Sequence, residues 1–153
     1  ALDAVPAGRA SALRVPEEVA TVGHISGGRF DLGSGGSGFA RSYDVFSIPY
    51  DESQERFAES LDIILKAWEG KEFSYHGAHY TVENATVTPA PYQQPHPPLR
   101  IAANSPETFT RLGQAGHPIF VGLRGMDIPE LTKNVLEYRR CGREAGHPGE
   151  GNG

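Results

Sequence analysis

The sequence predicts an α/β fold built on a parallel sheet. Three observations carry that prediction. Short apolar runs, "RFDL", "LRIAA" and "PIFVG", stand between segments whose apolar residues recur at helical spacing. Cap residues mark where the helices start and stop, and strands that alternate with helices pair in parallel because each crossover returns the chain in the same direction.

Taken in order, "RVPEEVATVGH" at residues 14–24 places Val15, Val19 and Val22 on one helical face and reads as the end of a helix. Ser26 to Gly28 form a turn, and "RFDL" reads as a short strand running into a glycine loop. Residues 39–50 read as irregular, because Pro49 bars a long helix there. The clearest helix follows, with Asp51 and Gln54 as a capping box, Phe57, Leu61, Ile64, Leu65 and Trp68 as its apolar stripe, and Gly70 as its stop. Alternating Phe73, Tyr75, Tyr80 and Val82 around Gly77 predict a small hairpin. A proline-rich connector, "PAPYQQPHPP", leads into the "LRIAA" strand. Ser105 caps the next helix, Pro106 takes its first position and Gly116 closes it. After "PIFVG", Asp127 and Glu130 form a capping box for a last helix with Leu131, Val135 and Tyr138 on one face.

The 153 residues suit one ordinary domain. Fourteen basic against 19 acidic residues give a net charge of −5, which argues against a nucleic-acid partner; Arg139, Arg140 and Arg143 read as a solvated helix face. No apolar stretch approaches the roughly 18–20 residues that span a bilayer, and the first dozen residues lack a signal-peptide core. The single cysteine, Cys141, permits no intrachain disulfide and fits a cytoplasmic location; it reads as a packing or surface residue rather than a nucleophile. The chain starts at Ala1 and stops in "GHPGEGNG" with no closing element, so both ends read as cut.

Two stretches bear on chemistry. Gly33, Gly35 and Gly38 spell G-x-G-x-x-G, the turn of a dinucleotide-binding fold. That fold needs the turn to open a helix directly, yet here it runs into "FARSYDVFSIPY", so a nicotinamide site is not expected. A glycine loop at the end of a parallel strand is still where α/β folds place ligands; the alternative is a plain flexible connection. The second stretch, "IAANSPET" at residues 101–108, ends a strand and starts a helix. Free N–H groups of a first turn attract anions, with the Ser105 and Thr108 hydroxyls as further donors; the alternative is an ordinary helix start that binds nothing. His76 and His79 in "YHGAHY" lack a third ligand and read as structural, as does His117.

Together, "EEVATVGHISGGRFDLGSG", "SQERFAESLDIILKAW", "FSYHGAHY", "PYQQPHPPLRIAANSPET" and "GHPIFVG" resemble the bacterial luciferase-like flavin-dependent monooxygenases, from about Arg14 to Gly149. The resemblance implies a TIM (β/α)₈ barrel with FMN at the C-terminal mouth. "RFDLG", "LRIAA" and "PIFVG" would be its fourth, fifth and sixth strands. A whole barrel takes about 250 residues, so residues 1–153 are expected to form a single partial barrel domain: about three central parallel strands, flanking helices and a hairpin insertion. Such a segment leaves unpaired sheet edges and is expected to be weakly stable alone or to associate.

The resemblance also places Ala102, Ala103, Asn104 and Ser105 beside the flavin, with Ser105 and Thr108 on its phosphate. Gly35 and Gly36 fall where the family's loop passes the isoalloxazine and phosphate. Bacterial luciferase has a phosphate-binding arginine at the place of Gly36, a role for which Arg41 is a candidate here. Arg56 in "ERFAE" resembles another arginine directed at the phosphate; its alternative is a surface helix charge. The family's catalytic histidine precedes this stretch, so no catalytic residue is assigned. The implied reaction uses reduced FMN, supplied by a flavin reductase, and dioxygen to oxygenate a small organic substrate, in a protein that is a dimer at full length. Two alternatives stand beside it: a deazaflavin-dependent oxidoreductase of the same superfamily, and a non-catalytic chain that binds no flavin.

Overall fold

The computed structural model describes residues 5–6, 12–36, 40–122 and 125–147. The chain divides into two compact units, residues 1–98 and 99–153.

In the first unit, β1 (Val5–Pro6) pairs in parallel with β2 (Leu32–Gly35), Val5 opposite Ser34 and Pro6 opposite Gly35. Between them runs α1 (Arg14–Ser26), a complete helix, which buries Val15, Val19 and Ala20 and ends on Gly27. The strand expected at "RFDL" begins three residues later than the apolar run does. Leu32 N–H donates to the Pro98 carbonyl at 2.8 Å, and Ser34 and Gly35 meet β1. Ladder partners distant in sequence, which local apolarity does not reveal, draw the glycines into the strand.

The stretch expected to be irregular holds a short helix, α2 (Ala40–Asp44), whose Tyr43 is fully buried. Burial of one large ring compensates for the weak intrinsic stability of a helix this short. The Asp51–Gln54 capping box does not form. Residues Tyr50–Glu52 make a 3₁₀ turn that runs straight into α3 (Ser53–Ala67), with Glu52 at the cap position and no side-chain cap bond. Pro49, extended at φ −59°, ψ 130°, sets the chain up for that turn and moves the start of the helix past Asp51.

Phe57, Leu61, Ile63, Ile64 and Trp68 of the α3 segment are buried, while Leu65 is only half-buried. Each large side chain fully withdrawn from water contributes roughly 1.5–3 kcal/mol. The Trp68 indole also donates to the Pro16 carbonyl at 3.3 Å and stacks on His96, which ties the end of α3 to α1 and to the proline-rich connector. The expected hairpin forms as β3 (Phe73–His76) and β4 (Thr81–Ala85), antiparallel, with Tyr75 opposite Val82.

The second unit follows its expected order. β5 (Leu99–Ala102) leads to α4 (Pro106–Ala115), then to β6 (Ile119–Phe120) and α5 (Ile128–Glu144). β5 and β6 are parallel, Ile101 opposite Ile119. Both predicted caps form: Ser105 Oγ accepts from Thr108 N–H, and Asp127 Oδ1 accepts from Glu130 N–H at 2.8 Å. Gly116 closes α4 in the left-handed conformation, φ 70°. The two helices pack closely because Gly113 lies under α5, where a Cβ would collide with the Tyr138 carbonyl.

Candidate functional site

The β5–α4 turn concentrates the expected cofactor residues in the second unit. Ala102 ends the strand opposite Phe120, and the fully buried Ala103 donates its N–H to the Phe120 carbonyl at 3.0 Å. This pairing carries the backbone to the strand's C-terminal end. Asn104 is exposed there, and Ser105, extended at φ −141°, ψ 153°, turns the chain into the helix. The Ser105 and Thr108 hydroxyls lie 3.1 Å apart, so the turn presents two hydroxyls at the positive end of a ten-residue helix.

The supply of free amides is smaller than the sequence suggests. Pro106 has no N–H. Thr108 N–H is shared between the Ser105 carbonyl at 2.9 Å and its hydroxyl at 3.4 Å. Glu107 turns its own carboxylate back on the turn: hydrogen bonds from its own N–H, and then from the Ser105 hydroxyl, hold its carboxyl below the usual carboxylate range. The helix start thus already favours a negative charge, that of the exposed Glu107 side chain.

In the first unit, Gly35 is the buried last residue of β2 and Gly36 follows it. Among the described residues Gly36 has room for a side chain: a Cβ there would meet Gln54 Nε2 and Tyr43 Oη, both at 3.8 Å, an ordinary contact. The backbone therefore does not require glycine at this position. Sequence marks Gln54 only as a cap partner and Tyr43 not at all; the fold of α2 and α3 brings both to Gly36. Gly38, the last glycine of the pattern, lies outside the described residues.

Arg56 is neither a bare surface charge nor unengaged. Its Nε and Nη2 lie 2.8 and 2.7 Å from Glu52 Oε2, and its guanidinium stands over the Tyr80 ring, 5.8 Å from the centroid. Burial works against its charge, but hydrogen bonds to Glu52 and Tyr80 outweigh that and raise its pKa. Arg41 is exposed on α2.

The two hairpin histidines have separate partners. His76 is exposed, 3.6 Å from Glu83. His79 is nearly covered, its Nε2 2.9 Å from Glu55 and its Nδ1 3.5 Å from Glu52. Among the described residues no group of three or more His, Cys, Asp or Glu side chains is arranged to hold a metal ion, and no helix is long and apolar enough to cross a membrane. Cys141 is buried in α5, where burial foremost, and then the Glu137 carboxylate, push its thiol pKa up. Such a thiol stays protonated and unreactive at neutral pH.

Parallel strands crossed over by helices, with small and hydroxylated residues at a strand's C-terminal end, define an α/β fold of the kind that binds ligands at strand ends. The sequence model of the luciferase-like monooxygenase family matches residues 4–151, and the chain belongs to that family. It is 31% identical over 141 residues to an F420-dependent glucose-6-phosphate dehydrogenase of Kineococcus radiotolerans, covering 90% of this chain and 40% of that protein. It is 28% identical over 106 residues to the oxygenase component of a flavin-dependent trigonelline monooxygenase of Acinetobacter baylyi, covering 68% and 29%. Among solved structures it is similar to the monooxygenase RslO1 of Streptomyces bottropensis, with a TM-score of 0.83 and 26% identity over 95% of this chain and 44% of that one. The chain thus spans less than half the length of these relatives and has the fold of part of their barrel.

Proposed function

We propose that this chain forms part of a flavin-dependent monooxygenase, in which reduced FMN and dioxygen oxygenate a small organic substrate and a separate reductase supplies the reduced flavin. The observation that carries this reading is the β5–α4 turn, where the Ser105 and Thr108 hydroxyls stand 3.1 Å apart at a helix N-terminus. Such a donor pair suits a phosphate monoester, whose oxygens accept hydrogen bonds and whose charge the helix dipole favours. Ser105 and Thr108 would hold the phosphate, displacing the Glu107 carboxylate. On the resemblance, Ala102, Ala103 and Asn104 would lie along the flavin. On the resemblance, Gly35, Gly36 and Arg56 are proposed as further cofactor contacts.

The bound flavin supplies the oxygen chemistry, and the protein's part is to orient it and keep water away. The cofactor class, a flavin or deazaflavin, is the coarser reading that the relatives support. The deazaflavin alternative has its own support in the 31% identity to the F420-dependent dehydrogenase. A cytoplasmic location and a dimer belong to the same proposal.

The experiment uses the longest natural chain that carries this sequence. FMN titration followed by flavin fluorescence and melting temperature tests binding, and oxygen uptake with reduced FMN tests the reaction. Saturable FMN binding and FMN-dependent uptake are expected. Binding of a deazaflavin coenzyme with no oxygen uptake would move the function to hydride transfer. Binding of neither would leave a non-catalytic chain.

A further inference from the structure

The first unit carries a polar cluster around Arg56. Glu52, Glu55, Arg56 and Glu59 recur along one side of the α3 segment, and the turn of the β3–β4 hairpin sits on them. Glu59 anchors that turn, accepting from the backbone N–H groups of Ala78 at 2.7 Å and of His79 and Tyr80 at 3.0 Å each. Gly77 permits the approach, since a Cβ there would run into the Glu59 carboxylate. Once anchored, the hairpin places Tyr80 beneath the Arg56 guanidinium and His79 between Glu52 and Glu55.

Glu52 Oε2 is the hub, with Arg56 Nε at 2.8 Å, Arg56 Nη2 at 2.7 Å and His79 Nδ1 at 3.5 Å. One carboxylate oxygen thus takes two of the five N–H donors of the guanidinium and fixes its plane. The side chains of Arg56 and Glu52 are only 21% and 33% exposed, so water screens the pair incompletely. A long side chain normally loses much rotamer freedom when it grips a ligand; one held beforehand has less to lose.

We infer that Glu52 and Tyr80 are positioning residues for Arg56, fixing its guanidinium to receive an anionic group. The inference rests on the proposed reading that Arg56 contacts the flavin phosphate. The test compares FMN with riboflavin, which lacks only the phosphate, by fluorescence titration of the longest natural chain. Glu52→Ala is expected to weaken FMN about fivefold, the net scale of one hydrogen bond, with riboflavin affinity unchanged. Glu52→Gln keeps an acceptor for Arg56 and restores most of the loss. Tyr80→Phe keeps the ring but removes the hydroxyl and lowers FMN affinity about twofold, a second readout if the Glu52 variants fold poorly.

A merely structural role would weaken both ligands together, and that result overturns the inference. So does tighter FMN binding by Glu52→Ala, which would make Glu52 a competing charge. Arg56→Ala separates the two levels. If it lowers the preference for FMN while the Glu52 and Tyr80 variants do not, only the positioning role fails. If it leaves the preference unchanged, the phosphate role of Arg56 fails with it.

Discussion

Glu107 shows how much a single side chain decides. Hydrogen bonding from its own N–H and from Ser105 lowers its carboxyl pKa, so its charge competes with a phosphate for the helix start. Two anions cannot share that place without repulsion. Glu107→Gln is therefore expected to tighten FMN modestly, as an exposed like charge is removed, and to leave riboflavin binding unchanged. Isothermal titration with both ligands checks this. The sequence made the cap legible, because Ser-Pro followed by an apolar helix has few other readings. The competing carboxylate was not legible, because it depends on a rotamer. Gly36 is a similar case: sequence marks a missing arginine, while only the fold shows Tyr43 and Gln54 beside the gap.

At the scale of elements, periodicity and caps located α1, α4, α5 and the hairpin, since local spacing governs them. It failed where distant pairing governs. The register of β2 depends on Val5, Pro6 and Pro98, and the start of α3 on the 3₁₀ turn after Pro49. The hairpin's seat on α3 depends on Glu59, which carries no signal as a lone glutamate on a helix. Burial alone would raise its carboxyl pKa, but the N–H groups of His79, Ala78 and Tyr80 outweigh burial and hold it below the ordinary value. A carboxyl lowered in the folded state stabilises above its unfolded pKa, and that stability disappears as pH falls through the folded value. The hairpin is thus expected to loosen in acid below the usual carboxylate range. Glu59→Ala should cost about 1–2 kcal/mol at neutral pH, a carboxylate with three amide bonds discounted for partial exposure. Amide exchange at residues 78–80 reads the effect: faster exchange in acid and in the variant is expected, and unchanged protection would contradict the clamp. By contrast the Arg140–Glu137–Glu144 cluster on α5, which lowers the Glu137 carboxyl to about 2, is largely exposed and contributes little.

For the whole molecule, the alternation of strand and helix was enough to indicate the α/β class, and the luciferase-like family follows from the order of motifs along the chain. Several large apolar side chains face solvent: Ile25 at 81%, Val45 at 75%, Ile128 at 61% and Leu136 at 58% exposure. Exposed apolar surface and strand edges favour association. The 153-residue chain studied alone is therefore expected to sediment with a concentration-dependent mass and to melt broadly. A sharp monomeric melt would contradict this.

The most direct test of the flavin reading is the affinity of Ser105→Ala for FMN and for riboflavin, measured side by side in the longest natural chain. Loss of the hydroxyl should weaken FMN by about 1–2 kcal/mol, the scale of a charge-assisted hydrogen bond, while riboflavin binds as before. Equal affinity of the variant and the parent for FMN would contradict a phosphate seat at the β5–α4 turn.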